Sequence, residues 1–104
     1  MPAFLCLFST ACDGAEGCWP ETFTVQIGLA DHGEGLWLTY PGRERAADDV
    51  TPSDTPMMMF HSPGYEDNLA ITVFPSGEAI HVEQDYLPGS GPRQRTAFGQ
   101  CEVM

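Results

Sequence analysis

This sequence predicts an all-β fold: a small antiparallel meander of about seven to eight strands, forming a barrel or sandwich and braced by disulfides. Short apolar or alternating runs recur along the chain, Gly and Pro clusters separate them, and no stretch has the sustained period of a long amphipathic helix. The cysteines complete the pattern. Cys6, Cys12 and Cys18 lie near the start and Cys101 near the end, so any bridge to Cys101 ties one terminus to the other.

In chain order, residues 4–12 form an apolar strand, and Asp13-Gly14-Ala15-Glu16-Gly17 is a turn by composition. Residues 22–29 alternate, with Phe23, Val25, Ile27 and Leu29 on one face and Thr22, Thr24 and Gln26 on the other, as a half-buried strand requires. If Cys12 lies opposite Cys18 in an antiparallel hairpin, Cys6 falls opposite Thr24 and out of reach of Cys18. Cys12 is therefore expected to pair with Cys18, and Cys6 with Cys101. Trp19, next to Cys18, is expected to pack over the hairpin bridge.

Asp31-His32-Gly33-Glu34-Gly35 is the next loop, and residues 36–40 form a strand ending at Pro41-Gly42. Residues 43–56 are polar and read as an excursion from the sheet, the most mobile stretch, with at most a helical turn near Glu44 to Asp49. Met57 to His61 is a strand, and the Pro75-Ser76-Gly77-Glu78 turn joins strands 69–74 and 79–87 in the clearest hairpin. In the latter strand Ile80, Val82 and Tyr86 are expected inside, with His81, Glu83 and Asp85 facing water. The final strand runs from about Arg93 to Val103, with Gly99 as the expected bulge beside Cys101. An odd number of up-and-down strands would make the first and last parallel. Either an eighth strand hides in residues 43–56, or the terminal bridge joins edges that are not neighbours.

The 104 residues suffice for one domain, 1–104. A hydrophobic content of 42% against 18% charged residues favours a packed chain over a disordered one. Fifteen Asp and Glu stand against four Arg and no Lys, a formal net charge of -11. Such a chain has no basic patch for phosphate backbones and is repelled by anionic lipid, which argues against nucleic-acid and membrane-surface roles and leaves a basic protein partner, a cation or plain solubility as what the acidity serves. No stretch reaches the length of apolar residues that a membrane span needs. Four cysteines in a short chain predict an oxidising, periplasmic or secreted setting, with Met1 standing in place of a removed signal.

Two surfaces emerge as candidates. A basic partner would meet Asp31, Glu34, Asp48 and Asp49, with Trp37 and Tyr40 supplying apolar contact. Alternatively, Met57, Met59 and His61 project to one side of a strand, and thioethers with an imidazole are soft ligands suited to copper, above all Cu(I). His32 between Asp31 and Glu34 is a weaker candidate for a harder metal or for acid-base chemistry. No nucleophile motif is present and the cysteine spacing is not that of a zinc site, so the chain reads first as a binding module, with an enzyme of unknown class as a further alternative, and no residue is assigned a catalytic role.

Overall fold

The computed structural model describes residues 3–14, 16–29, 35–64 and 66–104. Within them the chain forms β1 (Phe4–Asp13), β2 (Gly17–Leu29), β3 (Leu36–Tyr40), β4 (Arg43–Asp49), β5 (Met58–Pro63), β6 (Asp67–Val73), β7 (Glu78–Leu87) and β8 (Gly91–Val103). Each strand pairs with the next, and β8 pairs with β1, so the sheet closes into an antiparallel barrel. The fold is therefore the barrel rather than the sandwich. Among the described residues no helix is long and apolar enough to cross a membrane.

The polar stretch after Pro41-Gly42 is not an excursion. Arg43 to Asp49 is the missing eighth strand, paired along its length with β3 and at its end with β5. It escapes an apolar pattern search because Arg43 and Arg45 occupy two of its inward positions, opposite Tyr40 and Leu38. Gly42 sits at φ 83° in the two-residue turn, a conformation that a residue with a Cβ takes only at a cost. The eighth strand makes β1 and β8 antiparallel neighbours. Of the stretch between Arg43 and β5, only residues 50–57 leave the sheet, and they are tied back by Val50 N to Met59 O at 2.9 Å and Met59 N to Thr51 Oγ1 at 2.8 Å.

Both expected disulfides are present, Cys6–Cys101 and Cys12–Cys18, and they sit on opposite sides of the wall. Cys12 faces Cys18 in register, but between Phe8 and Thr10 the pairing shifts by one, so Cys6 lies opposite Val25 instead of Thr24. The same irregularity turns the first half of β1 around relative to its second half. Phe4, Cys6 and Phe8 point inward, and beyond the shift so does Ala11, while Cys12 bridges to an exposed Cys18 outside. Gly99 is involved, although the additional residue lies on β1 in that pairing. A Cβ on Gly99 would come within 2.0 Å of Leu7 O and 2.6 Å of Phe8 Cα, so only glycine lets the displaced backbone through.

Alternation sorts the remaining residues. In β2 Val25 and Ile27 are buried while Thr24 and Gln26 are exposed, as expected; the side chain of Leu29 lies outside the described set. Together with Leu36, Leu38, Phe60, Leu69, Ile71 and Val73 they fill one end of the barrel around the Cys6–Cys101 bridge. At the other end the inward positions are no longer apolar.

Candidate functional site

All four arginines of the chain stand at inward register positions of that second end, Arg45 largely buried and Arg43, Arg93 and Arg95 exposed at its rim. They stand as two Arg-x-Arg pairs on strands, Arg43 and Arg45 on β4 and Arg93 and Arg95 on β8, so each pair places both guanidinium groups on one face. Cross-strand register brings carboxylates to them: Glu83 lies opposite Arg95, and Asp85 opposite Arg93. Arg95 bonds Glu83 at 2.8 Å and reaches Glu21 on β2 at 3.7 Å, while Arg93 grips Asp85 with both Nε and Nη2. These contacts hold Asp85 below the usual carboxylate range.

The innermost guanidinium is the best satisfied. Arg45 pairs with Asp67 of β6, donates from Nε to Ser62 Oγ at 3.2 Å, and donates from Nη2 to the carbonyls of Ser62 and Asp67. Ser62 is fully buried and its hydroxyl donates a hydrogen bond to Ala46 O at 2.6 Å. Three strands are thereby clamped by one side chain whose polar atoms are all matched, which is the condition for placing a charge inside a fold without a large loss.

Between this charged mouth and the apolar core lies a neutral polar pair. Tyr40 and His81 are only 8% and 6% exposed, and the phenol oxygen is 2.8 Å from His81 Nε2. Burial pushes the Tyr40 phenol well above its ordinary range and lowers His81 to about 4, so both are uncharged near neutrality and the Tyr40 hydroxyl donates to the imidazole. Phe8 and Phe23 stack with ring centroids 5.1 Å apart, and their centroids lie 5.4 and 5.2 Å from that of the His81 imidazole, Phe8 tilted against it and Phe23 nearly perpendicular. Above the pair opens a pocket of about 470 Å³, lined by Phe23, Tyr40, Pro41, Arg43, His81 and Ala97, with Glu21, Glu83 and Arg95 along one side.

Neither a family model nor a curated protein nor a solved structure matches this chain. Its chemistry is therefore read from its own geometry.

That geometry corrects three expectations. In β7 the faces are reversed: His81 is buried opposite Ile71 and Ala97, and Glu83 and Asp85 follow it into the mouth. Tyr86, expected inside, is 67% exposed. Tyr40 is no surface anchor, because its inward position puts the phenol on His81. Trp19 does not pack over the hairpin bridge; it is paired with buried Ala11 and lines a second hollow of the mouth with Asp13, Asp85 and Arg93.

Other candidates are dispersed. Trp37 is half-buried on the side of β3 opposite to Leu36 and Leu38. Asp48 and Asp49 are exposed at the end of β4, where Asp49 Oδ1 accepts from Thr51 N and is held low in pKa by Thr51. Met59 and His61 point outward from β5, with Met57 just before it; Asp48 lies opposite His61, whose Nε2 donates to Asn68 Oδ1. Asp31, His32 and Glu34 lie outside the described residues. Among those described, no group of three or more His, Cys, Asp or Glu is placed to hold a metal ion.

The mouth was legible in one respect. Two Arg-x-Arg pairs and Glu83-x-Asp85, each with charges two apart on a strand, are the pattern of a charged face. What the pattern omits is which side of the sheet that face is on.

Proposed function

We propose that this protein is a small acidic binding module of an oxidising, periplasmic or secreted, setting, and that its partner is a basic protein. One observation supports this reading: every arginine is gathered at the barrel mouth or its rim, and three of the four are bound to carboxylates there. The outer wall is left without a Lys or Arg, in a chain of net charge -11. Asp48, Asp49 and Asp54 are exposed on and just after β4, and Trp37 on adjoining β3 offers an apolar contact beside them. A basic surface would be drawn to this side and held by Trp37. The buried Cys6–Cys101 bridge suits a chain that works where thiols are oxidised.

The test is a titration of the protein against a panel of folded basic proteins, at about 20 mM and about 200 mM salt. The reading expects binding that weakens at least about tenfold between the two, and further in a variant carrying Asp48→Asn, Asp49→Asn and Trp37→Ala. A partner whose affinity ignores both salt and these substitutions would refute it.

A second reading, soft-metal binding by Met57, Met59 and His61, draws on the outward placement of Met59 and His61 on one strand. Nδ1 is the imidazole nitrogen left for a metal, since Nε2 is engaged with Asn68. Met57→Leu with Met59→Leu is expected to abolish Cu(I) uptake without unfolding the barrel. Unchanged uptake would discard copper.

A further inference from the structure

We propose that the pocket in the barrel mouth is a binding site for a small carboxylic acid with a flat apolar body, its carboxylate held by Arg43. The site is distinct from the acidic outer surface and does not depend on what binds there.

The argument starts from the guanidinium that the mouth leaves over. Arg45, Arg93 and Arg95 each pair with carboxylates. Arg43 has no carboxylate partner among the described residues; its guanidinium lies 4.8 Å from the centre of the Tyr40 ring and faces the pocket. Contact with an aromatic face leaves the N–H groups at the edge of the guanidinium plane available, and their fork matches a carboxylate. The two carboxylates lining the same pocket are already directed elsewhere, since Glu83 and Glu21 both turn to Arg95.

The rest of the pocket defines the body of the ligand. Phe23, Pro41 and Ala97 line it with apolar surface, and the Tyr40 and His81 rings supply aromatic walls. A volume of about 470 Å³ is of the size that holds one small organic molecule. Because Tyr40 and His81 form a neutral pair, hydrogen-bonded to each other, the floor adds no charge, and among the described lining residues Arg43 is the cation not paired to a carboxylate, which makes it the anchor for an anion. A dianion would bring its second carboxylate towards Glu21 and Glu83. A cation would have to displace Arg95 from those same carboxylates. One negative charge on a planar apolar frame is what the lining accommodates.

Benzoate is the probe, with benzamide as its neutral isostere and Arg43→Gln as the variant. Amide proton and nitrogen shifts are followed at about 150 mM salt, where the long-range field of an acidic chain is screened. Saturable shifts are expected at Phe23, Tyr40 and His81 with benzoate, at least about tenfold weaker affinity for benzamide, and a loss of at least about tenfold in benzoate affinity on Arg43→Gln. Absence of saturable shifts in the pocket, equal binding of benzoate and benzamide, or undiminished binding by Arg43→Gln would overturn the site. The benzoate and benzamide comparison uses the unaltered chain, so the test stands even if the variant fails to fold. Failure here leaves the salt-dependent association with a basic protein untouched, and the reverse is equally true.

Discussion

Removing the Cys6–Cys101 bridge by Cys6→Ala with Cys101→Ala lowers the barrel's stability by about 4 to 5 kcal/mol, whereas removing Cys12–Cys18 in the same way lowers it by about 2. The difference follows from loop length, because the two bridges span sequence separations of 95 and 6. The long bridge holds the two strands that close the barrel, and Cys6 and Cys101 are both within the core, so nothing in the unfolded chain substitutes for it. The short bridge joins neighbours of a hairpin that Asp13 and Gly17 already bring together, and Cys18 is exposed. Equilibrium urea unfolding of both double variants decides the matter. Equal losses, or a larger loss from the hairpin bridge, would show that closure of β1 on β8 does not rest on the terminal link.

Acidification is expected to weaken the fold through His81 by about 3 kcal/mol between neutrality and pH 4. Burial lowers its pKa from 6.5 to about 4, so the folded protein keeps the imidazole neutral over a range in which the unfolded chain protonates it. A depressed histidine contributes stability that is fully present above the unfolded value of 6.5, declines as pH falls below it, and is gone once pH has passed through the folded value of about 4. Glu83 favours the protonated ring, while Arg95 and Arg43 oppose it, and none of the three outweighs the loss of water around the imidazole. His81→Gln keeps a hydrogen-bond acceptor for Tyr40 but cannot titrate. It is expected to lose this share of the pH dependence between pH 7 and 4. Should that variant not fold, the imidazole proton resonances of the unaltered protein serve instead; a midpoint near 6.5 in the folded state would contradict the burial argument.

Seen from particular residues, the sequence carried much of the frame. Alternation in Val25 and Ile27 against Thr24 and Gln26 marked a half-buried strand, because only one face there is apolar. The cysteine pairing followed from hairpin register even though the register itself slips by one before Cys6, since a slip of that size leaves Cys18 just as far away. Arg43 to Asp49 was obscured for a physical reason. Strands are recognised by an apolar inner face, and this one presents arginines to the inside. In β7 the residues before Glu83 are Ala79, Ile80, His81 and Val82, so apolar groups occupy both faces and local pattern cannot choose between them. The choice is made by neighbours: Ile71 and Ala97 bury the His81 side, while Thr72 and Phe98 flank Ile80 on the other.

What the sequence determined by itself is an acidic, disulfide-braced, antiparallel β chain with its two ends joined, because composition, turn residues and strand period are local properties. The tertiary structure alone decided that the described residues form eight strands closing into a barrel, that the arginines of β4 and β8 come to the same end of it, and that Tyr40 and His81 form a buried neutral pair beneath Arg43. These are long-range facts: Tyr40 and His81 are 41 residues apart, and only closure of the sheet brings them together. Of the charge at this end, Arg45 is held inside by Asp67 from two strands away, while cross-strand register gives the rim arginines Arg93 and Arg95 their carboxylates, Asp85 and Glu83.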